Sequence, residues 1–274
     1  MSVIIVSSDS YRKGREVAEK TAEALGYEYL DRELLKAVAA SHDLPEDRLE
    51  KALRESPSLF GISSKNHARY LAYIEAAVLS ELSRDRVVCH GLAAHLYVLG
   101  VSHVLKIRIL ADPEEWVKLT ASEKGVPPEK AARLNKREEA LQKRWSLGVY
   151  GIDETDPSLY DMVISLSQID ADEAVKTIVE TVSYRRFKPM TYSIKCMKDR
   201  ELASRVRSAL LERFTDVKVR ADGTTVVVET KALKREKRKK AEAIKELAGG
   251  IPGVDYVEVH VINDIFRQAA ESFR

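Results

Sequence analysis

The sequence predicts an α/β chain, a parallel sheet flanked by helices, followed by a small α+β domain built as βαββαβ. Three observations carry this. Two strand, loop and helix units fill the first 40 residues, and parallel strands need such crossovers. Val87 to His90 and Val104 to Leu110 are short, continuous apolar runs of the kind that strands buried on both faces require. The charge balance also changes along the chain: residues 1–184 hold 24 Lys and Arg against 30 Asp and Glu, a net of −6, and residues 185–274 hold 21 against 13, a net of +8. That split predicts two domains, 1–184 and 193–274, joined by a linker over 185–192.

Taken in order, Val3 to Val6 is a β-branched strand, Ser7 to Gly14 a polar loop, and Arg15 to Leu25 a helix with Val17, Ala18, Thr21, Ala22 and Leu25 on one face. Gly26 ends that helix, Tyr27 to Leu30 makes a second strand, and Asp31 caps a helix starting near Arg32. Residues 41–85 read as helical, loosened around Pro57 and Gly61. Asp112 and Pro113 supply a cap and a first-turn proline for the next helix. Glu123 to Trp145 is helical but broken by Gly125 and Pro127-Pro128; Tyr160 to Ser165 is a strand and Asp172 to Val182 a helix. The second domain reads as strand Thr191 to Met197, helix Asp199 to Phe214, a hairpin turning at Ala221-Asp222-Gly223, helix Leu233 to Leu247 and strand Tyr256 to Ile262. Asp264 to Phe273 adds a terminal helix.

Composition narrows the function. With 274 residues, 45% hydrophobic and 32% charged, the chain can bury a sizeable core and is not a disordered segment. Cys89 and Cys196 are too far apart for a metal-binding cysteine motif, which argues against structural zinc. The opening residues lack the basic start and long apolar run of a secretory signal, so the expected location is cytoplasmic. Val87 to Leu105 is free of Asp, Glu, Lys and Arg, yet His90, His95, His103 and two glycines make strand, short helix and strand the better account than a transmembrane segment.

Chemistry is expected first at the N-terminal strand–loop–helix, because a helix start beyond a parallel strand attracts phosphate. Arg12, Lys13 and Arg15 lie there beside Ser10 and Gly14. The phosphate-loop spacing GxxxxGK[ST] is met only at Gly14, with Arg15 at the lysine position, Glu16 at the hydroxyl position and Asp9 at the first glycine.

Residues 3–35, reading SSDSYRKGREVAEKTAEALGYEYLDRELL after the first strand, resemble the opening of the cytidylate kinase-like family of P-loop proteins. Ser7, Gly14, Arg15, Glu16, Val17, Ala18, Tyr29, Asp31, Glu33 and Leu34 match its pattern, and VVCHGLAAHL, LKIRILADPEEWVKL and DPSLYDMVIS extend the likeness through residue 182. The resemblance implies a nucleoside monophosphate kinase-like P-loop fold that binds ATP with Mg and passes its γ-phosphate to an acceptor such as CMP. It implies Arg15 on the donor phosphates, Lys136, Arg137 or Arg144 from a lid helix, and Asp31 near the acceptor nucleotide; His90, beside Gly91 at a strand end, is placed for nucleotide binding by topology rather than by the resemblance. Replacing Arg15 by Ala is then expected to abolish ATP binding.

The chain departs from that pattern where the chemistry belongs. Tyr11 and Lys13 replace glycines, His90 stands for an arginine, and Asn135 and Glu138 stand for an aspartate and an arginine. A second reading therefore stands beside the kinase: a degenerate pseudokinase serving as a regulatory or interaction protein.

The second domain resembles a BON domain in its first helix, central hairpin and closing strand, a module associated with phospholipid surfaces. Lys234 to Lys240 carries six cations in seven positions, which fits an anionic partner, a phospholipid surface or nucleic acid, as well as a solvated helix face. No aromatic residue is interleaved there for stacking on bases.

Overall fold

In the computed structural model, which describes residues 2–57 and 61–263, β1 (Val3–Ser8) runs into α1 (Tyr11–Leu25). Every side chain from Val3 to Val6 is fully buried, so β1 is central, and Gly26 closes α1 with φ 63° in the left-handed region that a glycine enters without strain. The strand β2 (Glu28–Leu30) leads to α2 (Leu34–Ser41), α3 (Glu46–Ala52) and the long α4 (Ser64–Leu82). The charge-free stretch resolves as expected into β3 (Val87–His90), the short α5 (Ala94–Tyr97) and β4 (Val104–Leu110). Asp112 caps α6 (Pro113–Lys124) by accepting from the Glu115 amide at 2.9 Å, and α7 (Pro128–Tyr150) follows the double proline. The first sheet is completed by β5 (Met162–Ser165) and covered by α8 (Ala171–Val182), whose Asp170 and Glu173 form a reciprocal capping box.

All five strands are parallel, in the order β2-β3-β1-β4-β5. Alternate side chains of β1 and β4 divide between two cores. Ile4, Val6, Ile107 and Ile109 face α1 and α8, whereas Val3 and Ile5 face α2, α4 and α5. This is the flanked parallel sheet that the sequence predicts.

Beyond it, Thr191 to Leu210 is one continuous helix, α9. The strand expected over Thr191 to Met197 is therefore corrected: Ser193 and Met197, four apart, are both buried, and helical spacing turns them to one face where strand spacing would also put Thr191 and Lys195 there. The hairpin β6 (Val217–Asp222) and β7 (Thr225–Ala232), the helix α10 (Lys237–Gly249) and β8 (Tyr256–Asn263) follow. They form a separate three-stranded sheet, β6-β7-β8, with the hairpin antiparallel and β8 parallel to β7. The terminal helix expected over Asp264 to Phe273 lies outside the described residues.

The two sheets are not joined by a free linker. Phe187 is buried against the first sheet, and Ser2 Oγ donates to its carbonyl at 2.6 Å. The helix α9 lies on α4, where Arg207 pairs with Glu75 at 2.8 Å and Arg200 donates to the carbonyls of Tyr97 and Leu99.

Candidate functional site

The connection from β1 to α1 is two residues long, Asp9 and Ser10. Of the loop expected over 7–14, Ser7 and Ser8 end β1 and half is helix: Tyr11, Arg12, Lys13 and Gly14 form the first turn, and the Gly14 amide already donates to the Ser10 carbonyl at 3.0 Å. Ser10 is a buried N-cap whose hydroxyl makes no capping bond. Asp9 fastens the junction, its Oδ1 accepting from the amides of Ser10 at 2.6 Å and Ala111 at 3.0 Å. Burial raises its pKa, and those amides and Arg108 oppose the rise.

The cations foreseen for phosphate are paired on the outer side of α1. Arg12 meets Glu123 at 3.3 Å, Lys13 meets Glu115 at 2.7 Å and Glu16 at 3.5 Å, and Arg15 meets Glu19 at 2.7 Å. Gly14 serves a close approach rather than a wrap: a Cβ there would lie 2.2 Å from Ser8 Oγ and 2.6 Å from His90 Nε2. Asp31 is buried and accepts from the Glu33 amide at 2.9 Å and from the hydroxyls of Tyr11 and Tyr29 at 3.3 and 3.4 Å. Its helix starts at Leu34, three residues later.

A cavity of about 370 Å³ opens beside this junction, at the carboxyl ends of β1 and β3 and under α7. Of the residues foreseen, His90 and Arg137 line it. Lys136 and Arg144 are exposed elsewhere on α7, and Asn135 turns toward α6, accepting from Thr120 Oγ1 at 2.8 Å. The remaining cations of the cavity are Arg32, Arg54 and Lys124. Among the described residues Arg32, Arg54 and Arg137 have no carboxylate within 4 Å, although Glu50, Glu55 and Glu138 share the wall. Arg32 stacks on the Tyr11 ring at 4.0 Å, and burial, then Arg54, lowers its pKa.

Two histidines reach the cavity from the charge-free stretch. Nε2 of His90 lies 3.2 Å from Ser8 Oγ and its ring 4.8 Å from that of Tyr11; burial pushes its pKa down to about 3, so the ring is neutral. His95 lies 3.7 Å from Glu154, with both almost fully buried. Burial sends His95 down to about 3 and Glu154 up to about 7, so this contact is no ion pair at neutral pH. Beneath them Arg108 donates to Ser7 Oγ at 3.3 Å, and the Tyr160 hydroxyl donates to the Glu154 carbonyl at 2.7 Å. His95, Glu154, Arg32 and Arg54 come together from four separate segments, and no spacing along the chain signals that.

The neutral burial of His90 gives a pH prediction. Its folded pKa lies below the ordinary 6.5, so the unfolded chain takes up the extra proton and stability falls as pH drops below 6.5. His90→Gln should remove about 1.4 kcal/mol per pH unit of that loss between pH 6 and 4. Urea melts of both proteins across that range check it, and parallel acid limbs would refute it.

The family model of the cytidylate kinase-like family matches residues 3–168. Among solved structures, an uncharacterized protein from Eubacterium ventriosum ATCC 27560 is similar at 20% identity over 68% of this chain and 100% of that one, with a TM-score of 0.50; the likeness concerns the fold alone. TT1252 from Thermus thermophilus is matched at 20% identity over 67% of this chain and 98% of that one, with a TM-score of 0.36. No curated protein matches. Among the described residues no helix is long and apolar enough to cross a membrane. With the parallel sheet, the strand-to-helix junction and a match over more than half its length, the chain belongs to the cytidylate kinase-like family.

Proposed function

We propose that the protein binds a nucleotide in the cavity beneath α7 and acts as a regulatory, pseudokinase-type member of its family. The observation that carries this is the start of α1 at Tyr11. A triphosphate is normally wrapped by the amides of an extended loop, and Asp9 and Ser10 are too few to supply one. The Mg-binding hydroxyl position is Glu16, which faces Lys13 and Lys20 instead. These residues do not fit a wrapped Mg-ATP, and no phosphoryl transfer follows from them. A single phosphate has better support, from Arg32, Arg54 and Arg137, which lack carboxylate partners at one concave site. The BON-like reading of the C-terminal unit is part of this proposal, supported by the hairpin β6-β7 and the strand β8 and without the first strand, which is helix.

Calorimetric titration with CMP and with Mg-ATP, accompanied by a phosphoryl-transfer assay, tests the proposal. Arg32→Ala and Arg137→Ala should each weaken CMP binding about tenfold or more, since a charge-assisted hydrogen bond contributes about 1.5–3 kcal/mol. Arg15→Ala should leave it within about threefold, its partner Glu19 being exposed. Turnover that Arg15→Ala abolishes would restore the kinase reading, with Arg15, Lys136, Arg137 and Arg144 as its residues.

A further inference from the structure

From Ser183 to Lys198 the chain contains no Asp or Glu. Four of the nine large apolar side chains exposed among the described residues fall in this short stretch: Tyr184 at 52%, Met190 at 59%, Tyr192 at 74% and Ile194 at 41%. Between and beyond them stand Arg185, Arg186, Lys188 and Lys198, all exposed and none with a carboxylate within 4 Å among the described residues. The stretch is held firmly, because Phe187 is buried against the first sheet and Ser193 and Met197 are buried on α9. Exposed apolar side chains on a fixed frame, interleaved with free cations, are the composition of a surface that meets an apolar phase beneath a layer of negative charge.

We propose that residues 184–198 form a docking surface for an anionic lipid bilayer, with Met190, Ile194 and the tyrosine rings entering the interface and the cations facing lipid phosphates. Charge complementarity selects an anionic partner, and the apolar side chains select a bilayer. Met190, the residue that caps α9, and Ile194 in its first turn have no π-face, so half of the apolar set would gain nothing from stacking on nucleic-acid bases. All four gain from partial burial at the acyl boundary, where tyrosine's amphipathic ring is also favoured. The surface is distinct from the basic start of α10, where Lys240 pairs with Asp216 and Arg238 with Glu242. It does not depend on what the cavity binds.

Co-sedimentation of the full chain with vesicles of phosphatidylcholine, and of equal parts phosphatidylcholine and phosphatidylglycerol, tests this. Binding is expected to the anionic vesicles and not to the neutral ones. Arg185→Glu with Arg186→Glu and Lys188→Glu should weaken it at least about tenfold. Met190→Ser with Tyr192→Ser should do the same at unchanged charge and without lowering Tm, since both side chains are exposed and serine is a favourable cap at the start of α9. Lys237→Glu with Lys239→Glu on α10 should change it less than about threefold. The proposal is overturned by absence of binding to anionic vesicles, by binding indifferent to the Met190 and Tyr192 pair, or by a loss confined to the α10 variant. Oligo(dT) binding that these substitutions abolish, without vesicle binding, would make the surface a nucleic-acid site.

Discussion

Trp145→Ala should lower the free energy of unfolding by about 4 kcal/mol, within the range for truncating a large buried aromatic. Trp145 is 2% exposed, belongs to the core of α2, α4 and α5, and donates its indole N–H to the Ala52 carbonyl at 2.8 Å. Truncation leaves a void beside the edge-on Tyr150 ring and strands that carbonyl near the end of α3. The same side chain forms part of the cavity wall, so ligand affinity should fall together with stability. Trp145→Phe should lose distinctly less, because it keeps most of the volume and gives up only the hydrogen bond and part of the ring. Urea unfolding of the three proteins checks the order; an alanine variant within about 1 kcal/mol of the parent would mean that this wall collapses to fill the space.

Gly14→Ala should destabilise by about 3 kcal/mol, which for a chain of this size lowers Tm by several degrees. The sign is informative, because alanine within a helix ordinarily stabilises by up to about 1 kcal/mol relative to glycine. Here the new Cβ would meet Ser8 Cβ at 2.5 Å as well as the Ser8 and His90 polar atoms. Turning the serine hydroxyl away relieves one clash but not the contact with Cβ, which moves only with the backbone of β1. A thermal melt at or above the parental Tm would show that α1 can draw back from the strand at little cost.

These sites also show what the amino-acid sequence reveals and where it stops. The parallel strands are legible because residues buried on both faces of a sheet must be continuously apolar, as Val3 to Val6 and Val87 to Cys89 are. The cap at Asp112 and the stop at Gly26 are legible because each is a local demand met by a local residue. Thr191 to Met197 reads wrongly as a strand for the opposite reason: its mixed pattern follows from packing on α4, over a hundred residues away. The start of α1 misleads as well, since the polar run Tyr11-Arg12-Lys13 looks like a loop until Glu115, Glu16 and Glu123 are seen to neutralise it. Gly14 stands out in the sequence for its place in a phosphate-loop pattern, whereas in the fold its role lies in the contacts with Ser8 and His90. The cavity cations Arg32 and Arg54 have no local signal; their proximity is a product of folding alone.

The core of the second sheet and the core around α4 and α5 each take a side chain from the other unit. Met197 of α9 packs with α4 and α5, while Ala72 of α4 packs with the second sheet. Neither core is whole until the other has assembled, so the passage from the first sheet to the second is a change of topology and not of melting unit. Calorimetric unfolding should give a single endotherm whose van't Hoff and calorimetric enthalpies agree, despite the two sheets. Cleavage of the chain between Phe187 and Thr191 should leave an N-terminal fragment that exposes the apolar face of α4 and aggregates, because the helix that shields that face belongs to the other piece.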